Sequence, residues 1–589
     1  MSRFPSLPRG PGAGPPQVLA LSRRRIRGVA VVWLACLVVL GARVAYLQTA
    51  ASERLRELGR RQQVETVTVP ASRGRIYDRA GRQLAGNVVR DSVYAVPRAI
   101  RDPHRFAGQV APVLGVPPQS VVERVRGGGY FVWLARQVSP EVASRLRGLR
   151  LQDQLGFEQE EKRVYPAGLL AAHVLGFTGV DNQGLAGVEL RYEEALRGLP
   201  GRAVRVRDAL GREILEGRQA LSPPRPGADL VLALDSVVQH VAERELQRAV
   251  EHYRARGGAA VVMDVHTGEL LAVASVPGFD PNRFQHRPEG WRNRALEAYE
   301  PGSTFKLAIL AAALEAGVIR PQSRFVCQGT LRIPGGYTIR EAHGESHGRV
   351  GVADVVRLSC NVASAQVGAA LGPDLLYRTV ARFGFGQLTG VDLPGESAGI
   401  LRPPGTWSAT DPYVVAIGQG VAVTPLQLVR FAAALANGGY LVRPHVAVAV
   451  LEPEGGLRRV EGAQQKIRVL SPSVAGTLLR MMEAVVTDGT GTAAAVEGYR
   501  VAGKTGTAQK PSPSGGYQPG RYVASFVGVV PSDGPRLAIL VAVDEPRGAY
   551  YGGVVAAPVF SRIASQALWV LGIPPSESSP QVLRGRGGD

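Results

Sequence analysis

The chain has 589 residues, with 69 Lys+Arg against 49 Asp+Glu and a net charge of +20, so there is room for two or three domains, one of them large. Such an excess of positive charge would suit nucleic acid, a membrane or an anionic polymer; no nucleic-acid-binding module or aromatic-interleaved basic patch accompanies it, which sets nucleic acid aside. Three cysteines are too few for a disulfide framework.

In chain order, the first 27 residues hold six arginines (Arg3, Arg9, Arg23, Arg24, Arg25, Arg27) and no acid, and residues 1–20 are Pro/Gly-rich, as in an unstructured tail. The one hydrophobic segment follows. Residues 28–47, GVAVVWLACLVVLGARVAYL, would span about 30 Å as a helix, enough to cross a bilayer. Its single charge, Arg43, lies near the distal end, where it can snorkel to the headgroups. The arginines ahead of it predict a cytoplasmic N-terminus, with everything after residue 48 outside. The apolar run is longer than a signal-peptide core and no clean A-x-A site precedes Gln48, so it reads as an uncleaved anchor.

Residues 52–63 read as a polar helix with Ser52 as N-cap. Two dense blocks follow. In the first, residues 72–85, Gly81 suits a turn between two short strands. The second runs from Arg163-Val164-Tyr165-Pro166 to Gly187-Val188-Glu189. Mixed strands, helices and glycine turns describe residues 64–222, and Pro223-Pro224-Arg225-Pro226-Gly227 is a boundary. Past it, residues 231–234 read as a strand and 236–256 as an amphipathic helix. Residues 259–264 and 270–276 are apolar runs separated by His266-Thr267-Gly268, a hairpin. Comparable runs recur at 499–502, 522–530 and 536–544, while the middle, roughly 285–495, is helix-rich. Strands from both ends around a helical centre predict an α+β fold, an antiparallel sheet with helices packed about it. The expected organisation is a tail (1–27), a transmembrane anchor (28–48), a first extramembrane domain (49–222), a large second one (223–573) and a loose tail (574–589).

Three strings carry chemistry: Ser303-Thr304-Phe305-Lys306, Ser359-Cys360-Asn361 and Lys504-Thr505-Gly506-Thr507. The chain contains five lysines (Lys162, Lys306, Lys466, Lys504, Lys510), arginine having taken nearly every other positive position. A general base must lose its proton, which arginine does not do in a protein. Two of the five lysines stand where a titratable amine is useful. Positions i and i+3 of a helix share a face, so Ser303 Oγ and Lys306 Nζ are expected within hydrogen-bond reach. Burial and a second cation, Lys504, would lower the Lys306 pKa. Ser303 at a helix N-terminus also offers its backbone N–H to an oxyanion. Ser359 can pass a proton between Lys306 and a leaving amine, and Asn361 can hold a peptide amide. Gly506 would let a substrate lie against a strand edge, while Thr505 and Thr507 bind a carboxylate with Lys504 adding charge. The G-K-T lacks the upstream glycines of a phosphate loop.

Weaker signals remain. His343-Gly344-Glu345-Ser346-His347 with Cys327 has zinc-binding residue types, but polar residues are common in Gly-rich loops, and neither a metal nor a cofactor is expected. Cys327 and Cys360 would both face an oxidising exterior, where they could pair. Gly418-Gln419-Gly420 followed by Thr424-Pro425-Leu426-Gln427 reads as a supporting turn and helix start.

The three motifs, with Arg292-Asn293-Arg294-Ala295, Tyr299-Glu300-Pro301-Gly302 and the segment from Phe383-Gly384-Phe385-Gly386 to Gly390-Val391-Asp392-Leu393-Pro394-Gly395-Glu396, resemble the class B penicillin-binding proteins, specifically the cell-division and sporulation branch. The likeness covers about residues 25–570, and Arg73–Ala85 resembles the family's pedestal signature. It implies a pedestal (dimerisation-type) domain and a transpeptidase domain with a five-stranded antiparallel sheet. It also implies a membrane-bound D,D-transpeptidase that cross-links peptidoglycan. Ser303 would be the nucleophile on a stem peptide ending in D-Ala-D-Ala, with Lys306 and Ser359 moving protons. Asn361, Lys504, Thr505, Gly506 and Thr507 would bind substrate, and the backbone N–H groups of Ser303 and Thr507 would form the oxyanion hole. β-Lactams would acylate Ser303. No segment looks like a glycosyltransferase, so glycan strands would come from a SEDS-type polymerase among other division partners. A β-lactamase is opposed by the anchor and by the absence of an E-x-x-L-N string after S-x-N; a β-lactam sensor, by the short N-terminal tail; and a non-catalytic scaffold, by the intact motifs.

Overall fold

A computed structural model describes residues 15–207, 213–286, 288–342, 344–460, 465–512 and 514–576. The chain divides into two compact units, residues 1–70 with 200–224, and residues 71–199 with 225–589.

The first unit carries the apolar helix, Pro15–Gln48. It starts earlier than the predicted span, inside the stretch read as an unstructured tail. Two prolines are tolerated in a first turn, and Gln17-Val18-Leu19-Ala20-Leu21 contains no breaker. Residues 24–48 are long and apolar enough to cross a membrane. Val31, Trp33, Leu37 and Val39 are all exposed, the surface a lipid-facing helix presents. The polar helix Ser52–Gln63 has the predicted limits. Strands Val64–Val69, Gly201–Arg207 and Glu213–Ser222 form an antiparallel sheet in that order.

The centre of the second unit is a five-stranded sheet, ordered Leu270–Val276, Gly257–Asp264, Leu537–Asp544, Tyr517–Val530, Ala502–Pro511, every neighbour antiparallel. The predicted hairpin supplies its first two strands, turning at Gly268 with φ +82°. Alternation sorts the side chains. Val261, Met263, Val529 and Leu540 pack with the helices Lys306–Glu315 and Pro425–Ala436 on one face. Val262, Phe526, Ile539 and Val541 pack with Ser236–His252 and Ala557–Val570 on the other. Helix residues Gly552–Val570 are also apolar enough for a membrane, but half of that stretch is buried against the sheet, which makes it a core element.

A second sheet joins distant parts of this unit. Asp229–Leu232 runs parallel to Ile76–Tyr77, in register Ile76 to Leu230. Ile76–Tyr77 turns through Gly81 (φ +80°) into Gln83–Ala95, which pairs with both Val132–Val138 and Leu155–Val164. The two dense blocks of the sequence meet here around one carboxylate. Arg73 Nε and Arg163 Nε each donate to a different oxygen of Glu189 at 2.7 Å, and Arg73 Nη1 reaches Glu193 at 2.6 Å. Arg163 also donates to the Gly74 carbonyl, and Tyr165 OH to Glu189. Arg73, Arg163 and Glu189 are buried, and the cluster persists because each of these charges meets an opposite one, with Arg163 Nη2 lacking a hydrogen-bond partner among the described residues.

Candidate active site

Ser303 lies on a 3-10 turn, Gly302–Phe305, that continues into the helix Lys306–Glu315. The serine is therefore not in the first α-helical turn, and the reason is the glycine before it. Gly302 has φ +56°, and a Cβ there would come within 2.9 Å of the Thr507 carbonyl oxygen. Its N–H donates to Gly418 O at 3.0 Å. Gly418 in turn has φ +79°, and a Cβ there would lie 2.0 Å from Gly302 O. The Gly418-Gln419-Gly420 turn thus backs the serine, and Thr424 with Gln427 forms a reciprocal capping box on the helix that follows. Glu300, which sequence reasoning assigned no role, accepts from Gly420 N at 3.0 Å and from Tyr517 OH, tying that turn to the sheet.

The helix Lys306–Glu315 is apolar all round and almost wholly buried, and it takes Lys306 inside with it. The ammonium donates to the Ser359 carbonyl, to Ser359 Oγ at 3.3 Å and to Asn361 Oδ1 at 2.6 Å. The expected Ser303 Oγ–Lys306 Nζ hydrogen bond is not among the bonds of the described residues. Three oxygens of the S-x-N string take the three protons instead. Ser303 itself is half-buried. Ser359 holds φ +61°, the left-handed region, which costs a non-glycine residue about 1–2 kcal/mol.

Cys360 caps the helix Asn361–Arg382, its Sγ accepting from Ala363 N at 3.3 Å. Asn361 spans the site: Oδ1 on Lys306, Nδ2 donating to Arg340 O at 2.9 Å. The group that holds this loop is Glu341, which sequence reasoning missed. Its carboxylate accepts from Asn361 N at 3.0 Å and Val362 N at 2.8 Å, an anion on a helix N-terminus. No spacing rule links a glutamate after a short strand to a motif some twenty residues on. Burial would raise the Glu341 carboxyl, but those N–H groups, the Cys360 thiol and the Lys306 charge outweigh it and hold it below the ordinary carboxylate range.

Burial also drives the Lys306 amine down to about 8, with Glu341 and Cys360 opposing. The charge that acts on Lys306 is thus a carboxylate that resists the shift, where a second cation assisting it was expected. Lys504 is fully buried as well. Burial first, then the Lys306 charge, hold its amine well below the ordinary lysine value.

Lys504 Nζ donates to Thr505 O at 3.2 Å, and the Thr505 and Thr490 hydroxyls lie 2.8 Å apart. Thr507 Oγ1 accepts from Gly552 N at 3.1 Å. Gly506 has a reason the sequence did not show. A Cβ there would lie 2.4 Å from Ser525 Oγ and 2.8 Å from Thr304 Cγ2, so only glycine lets the serine turn pack on the strand. This strand, Ala502–Pro511, ends the five-stranded sheet and, among the described residues, pairs with a neighbour strand on one side only. The three sequence strings thus converge: Lys306 on Ser359 and Asn361, Gly302 on Thr507, and Gly506 on Thr304.

Residues 258–565 match the penicillin binding protein transpeptidase domain, and residues 68–232 the penicillin-binding protein dimerisation domain. The chain belongs to the penicillin-binding protein family. It is 36% identical over 565 residues to stage V sporulation protein D of Bacillus subtilis, covering 94% of this chain and 87% of that protein. It is 35% identical over 553 residues to the peptidoglycan D,D-transpeptidase FtsI of Escherichia coli, covering 92% and 91%. Among solved structures, penicillin binding protein 3 of Mycobacterium tuberculosis complexed with aztreonam superposes with a TM-score of 0.68 at 29% identity, covering 87% and 98%. The five-stranded antiparallel sheet expected of a penicillin-binding protein is the one described above.

Proposed function

We propose that this penicillin-binding protein is a serine D,D-transpeptidase that cross-links peptidoglycan stem peptides through an acyl-enzyme on Ser303. The observation that carries the reading is a buried lysine with its pKa lowered to about 8, one turn from a half-buried serine and hydrogen-bonded to a second serine. At pH 7 such an amine is neutral in about one molecule in ten. In that form Lys306 takes the Ser303 proton as Oγ attacks the penultimate D-Ala carbonyl. The backbone N–H groups of Ser303 and Thr507 receive the oxyanion. Lys306 returns the proton through Ser359 to the departing amine of the terminal D-Ala. An amine from a neighbouring stem then attacks the ester along the same path in reverse.

The donor strand adds to the open edge of Ala502–Pro511, with Asn361 turning its side-chain amide from Arg340 O and Lys306 to the peptide. The substrate carboxylate meets the Thr505 and Thr507 hydroxyls and Lys504. Burial makes the Lys504 proton easier to lose, and a bound carboxylate favours the charged form. A β-lactam enters by the same route and stays as the ester of Ser303.

One relative named above is a stage V sporulation protein, and septal or spore wall synthesis is the role this reading adopts. The helix within residues 24–48 anchors the chain, the arginines ahead of it keep the N-terminus cytoplasmic, and the transpeptidase works outside. Residues 49–222 serve as pedestal, residues 223–573 as transpeptidase, and residues 574–589 as a tail, of which 577–589 lie outside the described residues. Glycan strands come from a separate SEDS-type polymerase. The test is D-Ala release and cross-linked product from lipid-linked donor strands, with Ser303→Ala beside wild type. Loss of both products in the variant is expected; equal activity in the two would overturn the proposal.

A further inference from the structure

Four groups outside the catalytic steps gather beneath the S-x-N string: Cys327, Glu341, His347 and Cys360. One ligand atom from each lies within 4.8 Å of all the others. Cys360 Sγ is 3.1 Å and Cys327 Sγ 3.4 Å from the same carboxylate oxygen, Glu341 Oε1, and Cys327 Sγ is 3.7 Å from His347 Nδ1. Tetrahedral zinc with its ordinary bond lengths sets neighbouring donors about 3.3–3.8 Å apart. The donors come from four places in the chain. Cys327 ends the strand Arg324–Cys327, Glu341 follows the strand Thr338–Arg340, His347 precedes the strand Gly348–Gly351, and Cys360 caps the helix Asn361–Arg382. Of the zinc-type residues the sequence offered in this region, His347 and Cys327 join the cluster, Glu345 does not, and His343 lies outside the described residues.

We infer that these four residues form a structural site for one tightly held divalent metal, zinc by the chemistry of its donors. Two sulfurs and an imidazole select zinc over magnesium or calcium, which take oxygen. Cys327, Cys360 and Glu341 are buried and His347 half-buried, so four protein ligands close the shell, as in a structural and not a catalytic zinc centre. Binding converts two thiols to thiolates and releases two protons, while Glu341 enters as carboxylate and His347 as neutral imidazole through Nδ1. No electron moves.

The fold supplies a reason for such a site. The segment from Arg324 to Gly351 is built of two separate two-stranded ladders, which are marginal on their own. A metal joins both ladders to the loop that carries Ser359. Cys360 stands between Ser359 and Asn361, and the second Glu341 oxygen already holds Asn361 N. The metal therefore positions the S-x-N string without touching substrate. Cys327 and Cys360 are both free thiols in this structure, and a disulfide between them would remove two of the four ligands.

The experiment uses the full chain in detergent, purified under reducing conditions, supplied with zinc and desalted. Elemental analysis is expected to find about one zinc per chain in wild type, and less than about one tenth of that in Cys327→Ser and His347→Ala. Cobalt supplied in place of zinc to wild type is expected to show thiolate-to-cobalt charge-transfer absorption, a readout that needs no variant to fold. A reduced wild type that retains no zinc and gives no such band would overturn the inference, as would a Cys327–Cys360 disulfide that persists and keeps the protein metal-free after reductant and zinc. Only the link to Ser359 rests on the proposed transpeptidase. Ser303→Ala should keep its zinc, so failure of the metal site and failure of the catalytic reading are separately visible.

Discussion

Two regions of the larger unit bury charge and obtain opposite results. At the junction of the two dense blocks, Arg73 and Arg163 close on Glu189 from both sides, and every charged group has a partner at hydrogen-bond distance. At the active site, Lys306 and Lys504 are as deeply buried, but neither has a salt-bridge partner among the described residues. Lys306 rests on a carbonyl, a hydroxyl and a side-chain amide oxygen, and Lys504 on its own neighbour. Full pairing keeps a charge and turns it into architecture. Burial without a paired carboxylate makes the proton easier to lose and turns the group into chemistry. Arginine suits the first task because it does not release its proton, and lysine the second because it does. That division explains why a chain with 69 basic residues keeps lysine at Lys306 and Lys504.

The largest effect should come from exchanging the two solutions. Lys306→Arg keeps the charge but removes the base, and acylation by a fluorescent penicillin is expected to fall by roughly a thousandfold or more at unchanged melting temperature. Glu189→Gln makes the converse change. Two arginines lose their carboxylate, so stability should drop by about 3–5 kcal/mol in thermal or denaturant unfolding, while the acylation rate per folded molecule stays near wild type. If Glu189→Gln slowed acylation as much as Lys306→Arg, the contrast between the regions would collapse.

Acidity sharpens the same contrast. The reactive form of Lys306 is the free amine, which populates above its pKa, so the second-order acylation rate should rise about tenfold per pH unit below pH 8 and level off above it. A profile flat from pH 6 to 9 would show that another group takes the proton. Gly506→Ala tests the packing between strand and serine turn. The added methyl meets Ser525 Oγ and Thr304 Cγ2, and a cost of about 1–3 kcal/mol is expected, with slower acylation. The smallest effect should follow Arg357→Ala, which removes contacts to Asp354 and the exposed Asp488 and should shift stability by no more than about 1 kcal/mol.

Much of this was legible in the sequence because local patterns carried it. Alternating apolar runs around His266-Thr267-Gly268 marked a hairpin, and the helix Ser52–Gln63 announced its limits. Lysine scarcity, with the S-x-x-K spacing, pointed to Lys306. What stayed hidden depends on contacts between distant segments. The parallel pairing of Ile76–Tyr77 with Asp229–Leu232 joins strands over 150 residues apart, and no periodicity reports it. Glu341 is an ordinary glutamate until the fold sets it under the first turn of a helix. The Lys306 contact was misplaced for a related reason: i, i+3 spacing says which groups share a face, not which acceptors compete for the ammonium. The packing role of Gly506 stayed hidden because the serine turn against it is two hundred residues away in sequence.

Acylation of Ser303 with the buried Lys306 amine as its base is tested most directly by peptide mapping with mass spectrometry after brief exposure of the full chain to benzylpenicillin at pH 8, wild type beside Lys306→Arg. A single penicilloyl adduct on Ser303 is expected in wild type and almost none in the variant. An adduct on any other residue, or equal labelling of the two proteins, would contradict it.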